Sequence, residues 1–549
     1  MKNVIVCVFI GCVLLAACRQ DKHPQGIAHV VVIGIDGLSA QGLREATTPC
    51  LDSLTQNGAS NYAVRCVLPT VSTPNWNAML TGAGPDITGV TGNGWDRNTF
   101  DLPPVIMTEN RMFPNIFRVM REQKPEWEIG SVFDWGGFGN MLEAELLNTF
   151  ENASGSPATA QKAAEYILEK KPHFLFIQLD EVDGHGHGKG HMSPGYLEGI
   201  TEMDKQVRVI VDAIRQAGIA DNTLIMVVSD HGGLYYGHGG NSYEELTVPV
   251  IFSGKGIKKN YRIKQQMYMY DVAANIAFAF GLKTPQAWVG RPTKPAFEGF
   301  DEPDNLWKGV DMLPPPAFQV GKVIEPQGDL YVDRPAEVVI RIPEGVEGVI
   351  RYTTDGTAPA KESPAYTAPF TVQKSTVITA RIFSPDGESA NVKAYYRVAD
   401  SKAGNGLNVA FYKQNDIREI PSFRELKPVA TAVCHEFSLL EPDVKTLVDQ
   451  YATDFAVTFS GKIQIDADGL YTFSIRSNDG CKLYIDSELT VNSNSLGGVT
   501  NSGKIELTKG LHTIRMEYFN HDKECRLYAW YEGPGAPYQI IPADKLFKN

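Results

Sequence analysis

The chain has 549 residues, enough for about three domains at roughly 150 residues each. Hydrophobic residues make up 43% and charged residues 21%, which excludes a disordered, collagenous or coiled-coil chain. With 51 Lys and Arg against 64 Asp and Glu, the net charge is −13. A nucleic-acid polymer is therefore not an expected partner, because phosphate neutralisation needs clustered cations. The 8 cysteines include no CxxC pair, which argues against a thiolate zinc site.

The amino terminus has the features of a targeting signal. Lys2 precedes an apolar stretch at residues 4–17 that is too short to span a bilayer. The stretch ends in Leu-Ala-Ala followed by Cys18 and resembles a bacterial lipoprotein signal. The resemblance implies removal of residues 1–17, a lipid on Cys18 and a tether at 18–27. We therefore expect the protein in the bacterial cell envelope, anchored to a membrane on its periplasmic or cell-surface side; an ordinary secretory signal is the alternative.

Three apolar runs of strand length stop at acidic residues. They cover residues 29–35, 174–179 and 224–228. They lead to Asp36, to Asp180 and Asp183, and to Asp230 with His231. A helical pattern starting at Ser193-Pro194 and ending before Gly218 lies between the second and third runs. This alternation predicts an α/β fold with a doubly wound, mostly parallel sheet, whose strand carboxyl ends share one ligand crevice.

A metal cluster is the predicted content of that crevice. Its candidate ligands are Asp36, Asp183, His187, Asp230, His231 and His238. We expect Asp183 and His187 to reach one metal from a single glycine-rich loop. Carboxylate and imidazole ligands without thiolate suit zinc, with manganese and iron as alternatives. Six ligands are too many for one tetrahedral ion, and a pair of ions is the usual clamp for displacement at phosphorus.

A candidate nucleophile follows at Ser72. Pro74 suits the first turn of a helix, so Ser72 is expected near the amino end of that helix. There the helix dipole and a metal both lower the cost of forming an alkoxide. A helix cap is the alternative role for this serine.

Together these residues resemble the alkaline phosphatase superfamily, most closely its type I phosphodiesterase/nucleotide pyrophosphatase branch, over residues 28–295. The resemblance implies a first zinc on Asp36, Ser72, Asp230 and His231 and a second on Asp183, His187 and His238. It also implies that Ser72 forms a phosphoseryl intermediate, with Thr73 as the alternative nucleophile. Asn93, together with the amide near Thr73, takes the place of the group that holds a phosphoryl oxygen.

Two departures from neighbouring branches favour a diester substrate. Trp76 stands where the sulfatase signature has Arg, and Phe133-Asp134-Trp135 stands where phosphomonoesterases carry a Lys-x-Arg pair. A site lined by Phe133, Trp135 and Trp95 favours a diester with an apolar or stackable group. The predicted substrate is an extracytoplasmic nucleotide or phosphorylated glycan. A phosphomonoesterase, a sulfatase and, in another class, an inactive carbohydrate-binding surface lipoprotein are the alternatives.

The carboxyl-terminal half is predicted to be β-rich. A linker at 296–317 leads to residues 318–398, which resemble the chitobiase C-terminal-like (fibronectin type III-like) β-sandwich, expected to be a spacer. A short linker at 399–404 precedes residues 405–549, which resemble a protective-antigen-type β-sandwich with a carbohydrate as candidate ligand. Its alternating aromatic residues are expected to form its core. Cys50 with Cys66 and Cys481 with Cys525 are the candidate disulfides.

Overall fold

The computed structural model describes residues 23–99, 102–301, 313–320, 323–324, 328–343, 346–385, 387–494, 499–521, 525 and 527–548. The predicted signal and Cys18 lie outside the described residues, as do 302–312 of the predicted linker. Within the described ranges, no helix has both the length and the apolar character needed to cross a membrane.

The amino-terminal domain is built on an eight-stranded sheet with the order β4-β3-β5-β1-β6-β7-β2-β8. In chain order the strands are β1 His29–Ile35, β2 Gly58–Arg65, β3 Ile129–Phe133, β4 Thr149–Asn152, β5 Phe174–Leu179, β6 Thr223–Val228, β7 Thr247–Gly254 and β8 Tyr261–Arg262. The pairings from β4 to β6 are parallel, whereas β7 is antiparallel to both β6 and β2. The predicted α/β fold with a mostly parallel sheet is confirmed.

Helices cover both faces of this sheet. They are α1 Ala40–Glu45, α2 Pro49–Gln56, α3 Ser72–Thr81, α4 Pro85–Thr88, α5 Ile116–Gln123, α6 Gly136–Gly139, α7 Ser156–Lys170, α8 Glu181–Lys189, α9 Pro194–Gln216, α10 Tyr243–Leu246 and α11 Asp271–Phe280. Alternate residues of β1 contribute to two separate apolar cores, one with α3, α5 and α11 and the other with α2, α7 and α9. Both faces of the strand are therefore buried, which is why its sequence is a continuous apolar run.

Helix α9 follows the sequence pattern closely. The Ser193 side chain accepts a hydrogen bond from the backbone N–H of Tyr196, and Pro194 occupies the first turn. One apolar face, including Ile200 and Val207, is buried against the sheet and α7. The helix predicted between Ser193 and Gly218 is confirmed.

The segment that carries Asp183 and His187 is a helix, so the predicted glycine-rich loop is wrong. Helix α8 covers Glu181–Lys189 despite its three internal glycines. Asp183 and His187 are one turn apart and lie on the same helix face. Their spacing brings both side chains to one place through helical periodicity and not through a wrapped loop.

The next domain contains two small sheets, ordered β10-β9-β12-β14 and β11-β17-β15-β13, with β16 paired to β15. The strands are β9 Ala317–Val320, β10 Val323–Ile324, β11 Leu330–Val332, β12 Ala336–Arg341, β13 Val349–Thr353, β14 Phe370–Val372, β15 Thr376–Ser384, β16 Gly387–Glu388 and β17 Val392–Ala399. Their inward-facing residues share one apolar core, as in a β-sandwich.

The last domain has sheets ordered β19-β18-β20-β25-β22-β23 and β24-β21-β26-β27, with β28 paired to β20. Its elements are β18 Leu407–Lys413, β19 Ala430–Cys434, α12 Pro442–Tyr451, β20 Phe455–Ile465, β21 Gly469–Ser477, β22 Cys481–Ile485, β23 Glu488–Ser493, β24 Val499–Leu507, β25 Gly510–Asn520, β26 Leu527–Gly533, β27 Ala536–Ile540 and β28 Leu546–Phe547. Tyr471, Phe473, Tyr518 and Tyr531 are buried in one core, as predicted. The exact domain boundaries stay predictions.

Neither candidate disulfide forms. Cys50 and Cys66 are free thiols in the two different apolar cores, so the central sheet separates them. Cys481 is also a free thiol, fully buried at the start of β22. The pairing of Cys481 with Cys525 is therefore wrong as well.

Candidate active site

The site lies at the carboxyl ends of three adjacent parallel strands, β5, β1 and β6. Asp36 directly follows β1, Asp180 follows β5, and Asp230 comes two residues after β6. Because parallel neighbours end at the same edge of the sheet, these side chains converge there. Helices α3 and α8 bring Ser72 and Asp183 to the same edge.

Asp36, Asp230 and His231 form one group whose potential ligand atoms lie within 4.8 Å of one another. The Nε2 atom of His231 is 3.2 Å from an Asp230 oxygen and 3.5 Å from an Asp36 oxygen. The Oγ atom of Ser72 is 3.2 Å from the same His231 nitrogen. All four residues predicted for the first metal are therefore together.

Asp183 joins the second group to the first. His187 Nε2 lies 3.1 Å from one Asp183 oxygen, and His238 Nε2 lies 3.7 Å from the other. Asp183, His231 and His238 each offer a potential ligand atom within 4.8 Å of the other two, and the ring centroids of His231 and His238 are stacked 3.7 Å apart. The seven predicted ligands thus form one continuous cluster.

Backbone carbonyls orient the three histidines of this cluster. The Nδ1 atoms of His187, His231 and His238 each lie 2.9 Å from a carbonyl oxygen, of Tyr236, Gly232 and Thr70 respectively. These contacts fix the ring planes and direct Nε2 towards the carboxylates. Burial lowers the pKa of His231, and it lowers the pKa of His238 to about 4, so both rings are neutral, as metal ligands must be.

The carboxylates of the cluster have the properties of a cation site. Asp36 Oδ1, Asp183 Oδ1 and Asp230 Oδ2 are buried without a hydrogen-bond partner. Burial raises the pKa of Asp230 to about 7, and burial together with the charge of Asp230 raises the pKa of Asp36. Buried acceptors without a hydrogen-bond donor are costly, and a cation bound between these oxygens and the neighbouring imidazole nitrogens would satisfy them. The donor set of carboxylate oxygen and imidazole nitrogen therefore fits divalent metal ions.

Two further residues hold Asp36. The indole Nε1 of Trp76 donates a hydrogen bond to Asp36 Oδ2 at 3.0 Å, and the Gln178 amide donates to the same oxygen at 3.2 Å. Neither contact with Asp36 was predicted: in the sequence, Trp76 only argues against a sulfatase, and Gln178 carries no assigned role. A signal for Gln178 was present, because it is the one polar residue in the apolar run of β5.

Ser72 is the first residue of α3, with Pro74 in the first turn, as expected. The neighbouring Thr73 hydroxyl is also buried, without a hydrogen-bond partner, whereas its backbone N–H donates to Asn93 Oδ1 at 2.9 Å. In this structure the amide holds Asn93, and the expectation that it holds a phosphoryl oxygen stays a prediction. Asn93 itself is exposed and lies beside the candidate nucleophile.

The three predicted substrate contacts differ in their surroundings. The Phe133 ring is 1% exposed and packs against Phe138 and Phe150, and its role as a substrate contact stays a prediction. Trp135 lies at the carboxyl edge of β3, where its N–H donates to Gln178 Oε1 at 2.9 Å. Trp95 is half-buried in the loop that follows Asn93.

Comparison with protein families matches three regions of the chain to known domain types. Residues 30–135 and 137–234 match the model of the type I phosphodiesterase / nucleotide pyrophosphatase family. Residues 326–394 match the chitobiase/beta-hexosaminidase C-terminal domain, and residues 445–545 match the PA14 domain. These matches fit the alkaline phosphatase superfamily with two carboxyl-terminal β-domains, and they confirm the resemblance predicted from the sequence.

Individual relatives are distant. Rat ectonucleotide pyrophosphatase/phosphodiesterase family member 3 is 22% identical over 241 residues, covering 40% of this chain and 26% of the relative. GPI ethanolamine phosphate transferase 1 of Saccharomyces cerevisiae is 21% identical over 279 residues, covering 45% of this chain and 30% of the relative. The chain thus spans less than a third of the length of these curated relatives.

Two solved structures also align with part of the chain. An inactive variant of murine ectonucleotide pyrophosphatase / phosphodiesterase 5 in complex with AMP aligns with a TM-score of 0.40 and 16% identity, covering 47% of this chain and 96% of that protein. A 2-O GAG sulfatase aligns with a TM-score of 0.42 and 15% identity, covering 60% of this chain and 82% of that protein.

Proposed function

We propose that the protein is a metal-dependent phosphodiesterase that hydrolyses a nucleotide or phosphorylated glycan outside the cytoplasm. The observation that carries the proposal is the Ser72 hydroxyl, 3.2 Å from His231 Nε2 at the edge of the carboxylate cluster. A hydroxyl beside buried carboxylates and neutral imidazoles is the arrangement expected of a nucleophile activated at a metal site. The match to the type I phosphodiesterase family supports a hydrolase of this superfamily.

Two zinc ions are the proposed cofactors. Asp36, Ser72, Asp230 and His231 would hold the first, and Asp183, His187 and His238 the second. Such ions, when bound, stabilise negative charge on phosphoryl oxygens and favour the ionised form of a nucleophilic hydroxyl. The three buried carboxylate oxygens without hydrogen-bond partners support this assignment.

The chain's own residues carry a two-step reaction. Ser72 Oγ attacks phosphorus, a P–O bond to the serine forms, and the bond to the leaving alcohol breaks as that oxygen takes up a proton. Water then attacks the phosphoseryl group, the second product leaves as a phosphate ester, and the Ser72 hydroxyl is restored. The Oδ1 atom of Asn93 accepts a hydrogen bond from the Thr73 N–H. The side-chain NH₂ group of Asn93 is therefore the donor to a phosphoryl oxygen.

The surroundings of residues 133–135 favour a diester over a monoester. Asp134 occupies the middle of this segment, and its carboxylate accepts hydrogen bonds from the Gly155 N–H and the Ser156 hydroxyl. An acidic side chain repels the second charge of a monoester, whereas a diester carries one charge and a second organic group. Trp135 and Trp95 are the proposed contacts for that group.

The test is a comparison of kcat/KM for bis-p-nitrophenyl phosphate, p-nitrophenyl phosphate and p-nitrophenyl sulfate, with the full chain loaded with zinc. The proposal predicts the highest value for the diester. A higher value for the monoester or the sulfate would indicate a phosphomonoesterase or a sulfatase. Hydrolysis of none of the three with zinc, manganese or iron would favour the carbohydrate-binding lipoprotein.

Two histidines of helix α8 provide a matched pair of variants. His187→Ala removes a proposed zinc ligand, and we expect at least a 100-fold loss of kcat/KM. His185→Ala is the control, because His185 contacts the Gly195 carbonyl at 2.9 Å and is outside the cluster. Equal activity of the two variants would contradict the ligand assignment.

Membrane attachment through Cys18 is part of the same proposal. A Cys18→Ala variant is expected to move from the membrane fraction to the soluble fraction of the cell envelope. An unchanged membrane fraction would contradict lipidation at this residue.

A further inference from the structure

A cavity of about 390 Å³ lies where the three folded parts of the chain meet. The loop after β6 contributes Tyr235 and Tyr236, the middle domain contributes Arg397, and the last domain contributes Glu436 and Tyr528. This volume is within the range of small-molecule binding sites. The cavity is distinct from the carboxylate cluster, although Tyr236 borders both.

Aromatic rings form one wall of the cavity. The centroids of Tyr235 and Tyr528 are 5.5 Å apart, and Tyr528 is 5.7 Å from Trp530. Along β26, Leu527, Ala529 and Tyr531 point into the core of the last domain, so Tyr528 and Trp530 lie on its other face. The predicted aromatic core is thus confirmed for Tyr531 but not for Tyr528, which faces the cavity.

The polar lining is mainly acidic. Asp329, Glu436 and Glu441 contribute carboxylates, and Arg397 forms an ion pair with Glu436 at 2.9 Å. The side chains of this pair are 12% and 13% exposed, so they are held in place and still reach the cavity surface. Glu441 also contacts His435 Nδ1 at 3.0 Å, but the residues that line the cavity carry three carboxylates and one guanidinium, a balance that disfavours a phosphate or another anion.

These features together select the ligand class. Carboxylate oxygens accept hydrogen bonds from hydroxyl groups, and aromatic faces pack against the C–H face of a sugar ring. A nucleobase fits less well, because Tyr235 and Tyr528 already contact each other and leave no slot for a flat ring between them. We propose that this junction is a binding site for a neutral saccharide.

The saccharide site shares a wall with the proposed metal centre. The Tyr236 carbonyl accepts a hydrogen bond from His187 Nδ1 at 2.9 Å, and the Tyr235 carbonyl accepts one from the His191 N–H at 2.6 Å. Tyr235 is held at a positive φ of 61°, a conformation that requires support from its surroundings. The cavity and the carboxylate cluster are therefore bordered by the same short loop, through the side chain of Tyr236 on one side and its carbonyl on the other.

The test uses an array of defined neutral oligosaccharides with the full zinc-loaded chain and two tyrosine variants. Tyr528→Ala removes a ring from the cavity and is expected to weaken binding about tenfold or more. Tyr538→Ala is the control, because Tyr538 is an exposed tyrosine of the adjacent strand β27 that does not line the cavity. We expect it to bind as the unmodified chain does. Tyr528→Phe keeps the ring and is expected to retain binding.

Three results would overturn the proposal: no binding to any oligosaccharide, binding unaffected by Tyr528→Ala, or equal loss in both alanine variants. Hydrolysis of bis-p-nitrophenyl phosphate reports separately on the metal site and is expected to stay within about twofold in all variants. Failure of the unmodified chain to hydrolyse this diester would contradict the proposed function and leave the saccharide site standing.

The same variants distinguish two sources of the sugar. An oligosaccharide that binds on the array is prepared with a p-nitrophenyl phosphodiester attached. Its kcat/KM is compared with that of bis-p-nitrophenyl phosphate. If only the sugar-bearing diester loses kcat/KM in Tyr528→Ala, the sugar is part of the substrate. If neither loses it, the saccharide is a separate glycan ligand, and either result is consistent with the site.

Discussion

Trp76 should control the metal site through a single hydrogen bond. Its Nε1–H donates to Asp36 Oδ2 at 3.0 Å, and its ring is fully buried. Trp76→Phe removes this donor and keeps an aromatic ring in the core. A hydrogen bond to a charged group contributes about 1.5–3 kcal/mol, and about 1.4 kcal/mol corresponds to a tenfold change. Gln178 still donates to the same oxygen at 3.2 Å. We therefore expect zinc affinity or kcat/KM to fall by an amount near the lower end of this range, about 10- to 30-fold.

Trp288→Phe is the matched control for this variant. Trp288 is 8% exposed in the same apolar core, and its Nε1–H donates to the Pro114 carbonyl at 3.1 Å, away from Asp36. Each of the two tryptophan rings packs against a glycine. A Cβ on Gly34 would lie 2.6 Å from the Trp76 ring, and a Cβ on Gly82 would lie 2.7 Å from the Trp288 ring. Both variants therefore lose similar packing and one hydrogen bond.

The assay is zinc affinity by chelator competition, followed by kcat/KM on bis-p-nitrophenyl phosphate at saturating zinc. Trp76→Phe should lose affinity or kcat/KM, whereas Trp288→Phe should lose only thermal stability. Unchanged zinc affinity and kcat/KM in Trp76→Phe, or equal losses in the two variants, would refute the reasoning.

Three further predictions concern stability. Arg118→Ala leaves the fully buried Glu143 carboxylate without its ion-pair partner. It should lower the free energy of unfolding, measured by chemical denaturation, by about 3 kcal/mol. We expect a smaller loss for Glu143→Gln, because Arg118 also pairs with Glu109. A smaller loss for Arg118→Ala than for Glu143→Gln would contradict this. Burial raises the pKa of Asp271 to about 6, so the folded chain binds the proton more tightly than the unfolded chain. The resulting stability, about 3 kcal/mol, is present below about pH 4 and lost as the pH rises through 6. As the pH rises over this range, the calorimetric melting temperature should fall less steeply in Asp271→Asn than in the unmodified chain. Equal slopes of melting temperature against pH in the two proteins would exclude the effect. Finally, adding zinc at about 100 times its Kd should stabilise the chelator-treated protein by about 2.7 kcal/mol, and an unchanged melting temperature would argue against a metal in the cluster.

The strands and the long helix were predictable because the local pattern of apolar residues indicates which of their faces are buried. Strand β1 is buried on both faces and is a continuous apolar run, and α9 has a cap, a first-turn proline and one apolar face. The cluster followed from the same pattern, since parallel strands end at one edge of the sheet. The residues that directly follow the carboxyl end of each strand are therefore the part of the site that the local sequence predicts best.

Helix α8 was missed because its stability comes from packing. Glycine disfavours an isolated helix. In the folded chain, however, a Cβ on Gly186 would lie 2.4 Å from the His191 ring, and a Cβ on Gly199 of α9 would lie 2.6 Å from the His185 ring. The glycines allow this close approach, and such contacts have no signature in local sequence.

Long-range partners were also beyond local sequence. Trp76 and Asp36 are separated by 40 residues, and the carbonyls that orient the histidines belong to residues of any type. Cys50 and Cys66 are close in sequence, yet the sheet lies between them. The burial of Phe133 depends on Phe138 and Phe150, so the resemblance that identified its segment could not indicate it.

The central claim, a metal-dependent phosphodiesterase with Ser72 as nucleophile, is tested most directly by two neighbouring hydroxyl variants. Both Ser72 and Thr73 are buried at the start of α3, but only the Ser72 hydroxyl contacts His231, at 3.2 Å, whereas Thr73 Oγ1 has no hydrogen-bond partner. With zinc-loaded protein and bis-p-nitrophenyl phosphate, Ser72→Ala should lose about 10³-fold or more in kcat/KM, and Thr73→Ala should stay within about tenfold. Activity that survives Ser72→Ala and disappears in Thr73→Ala would contradict the account.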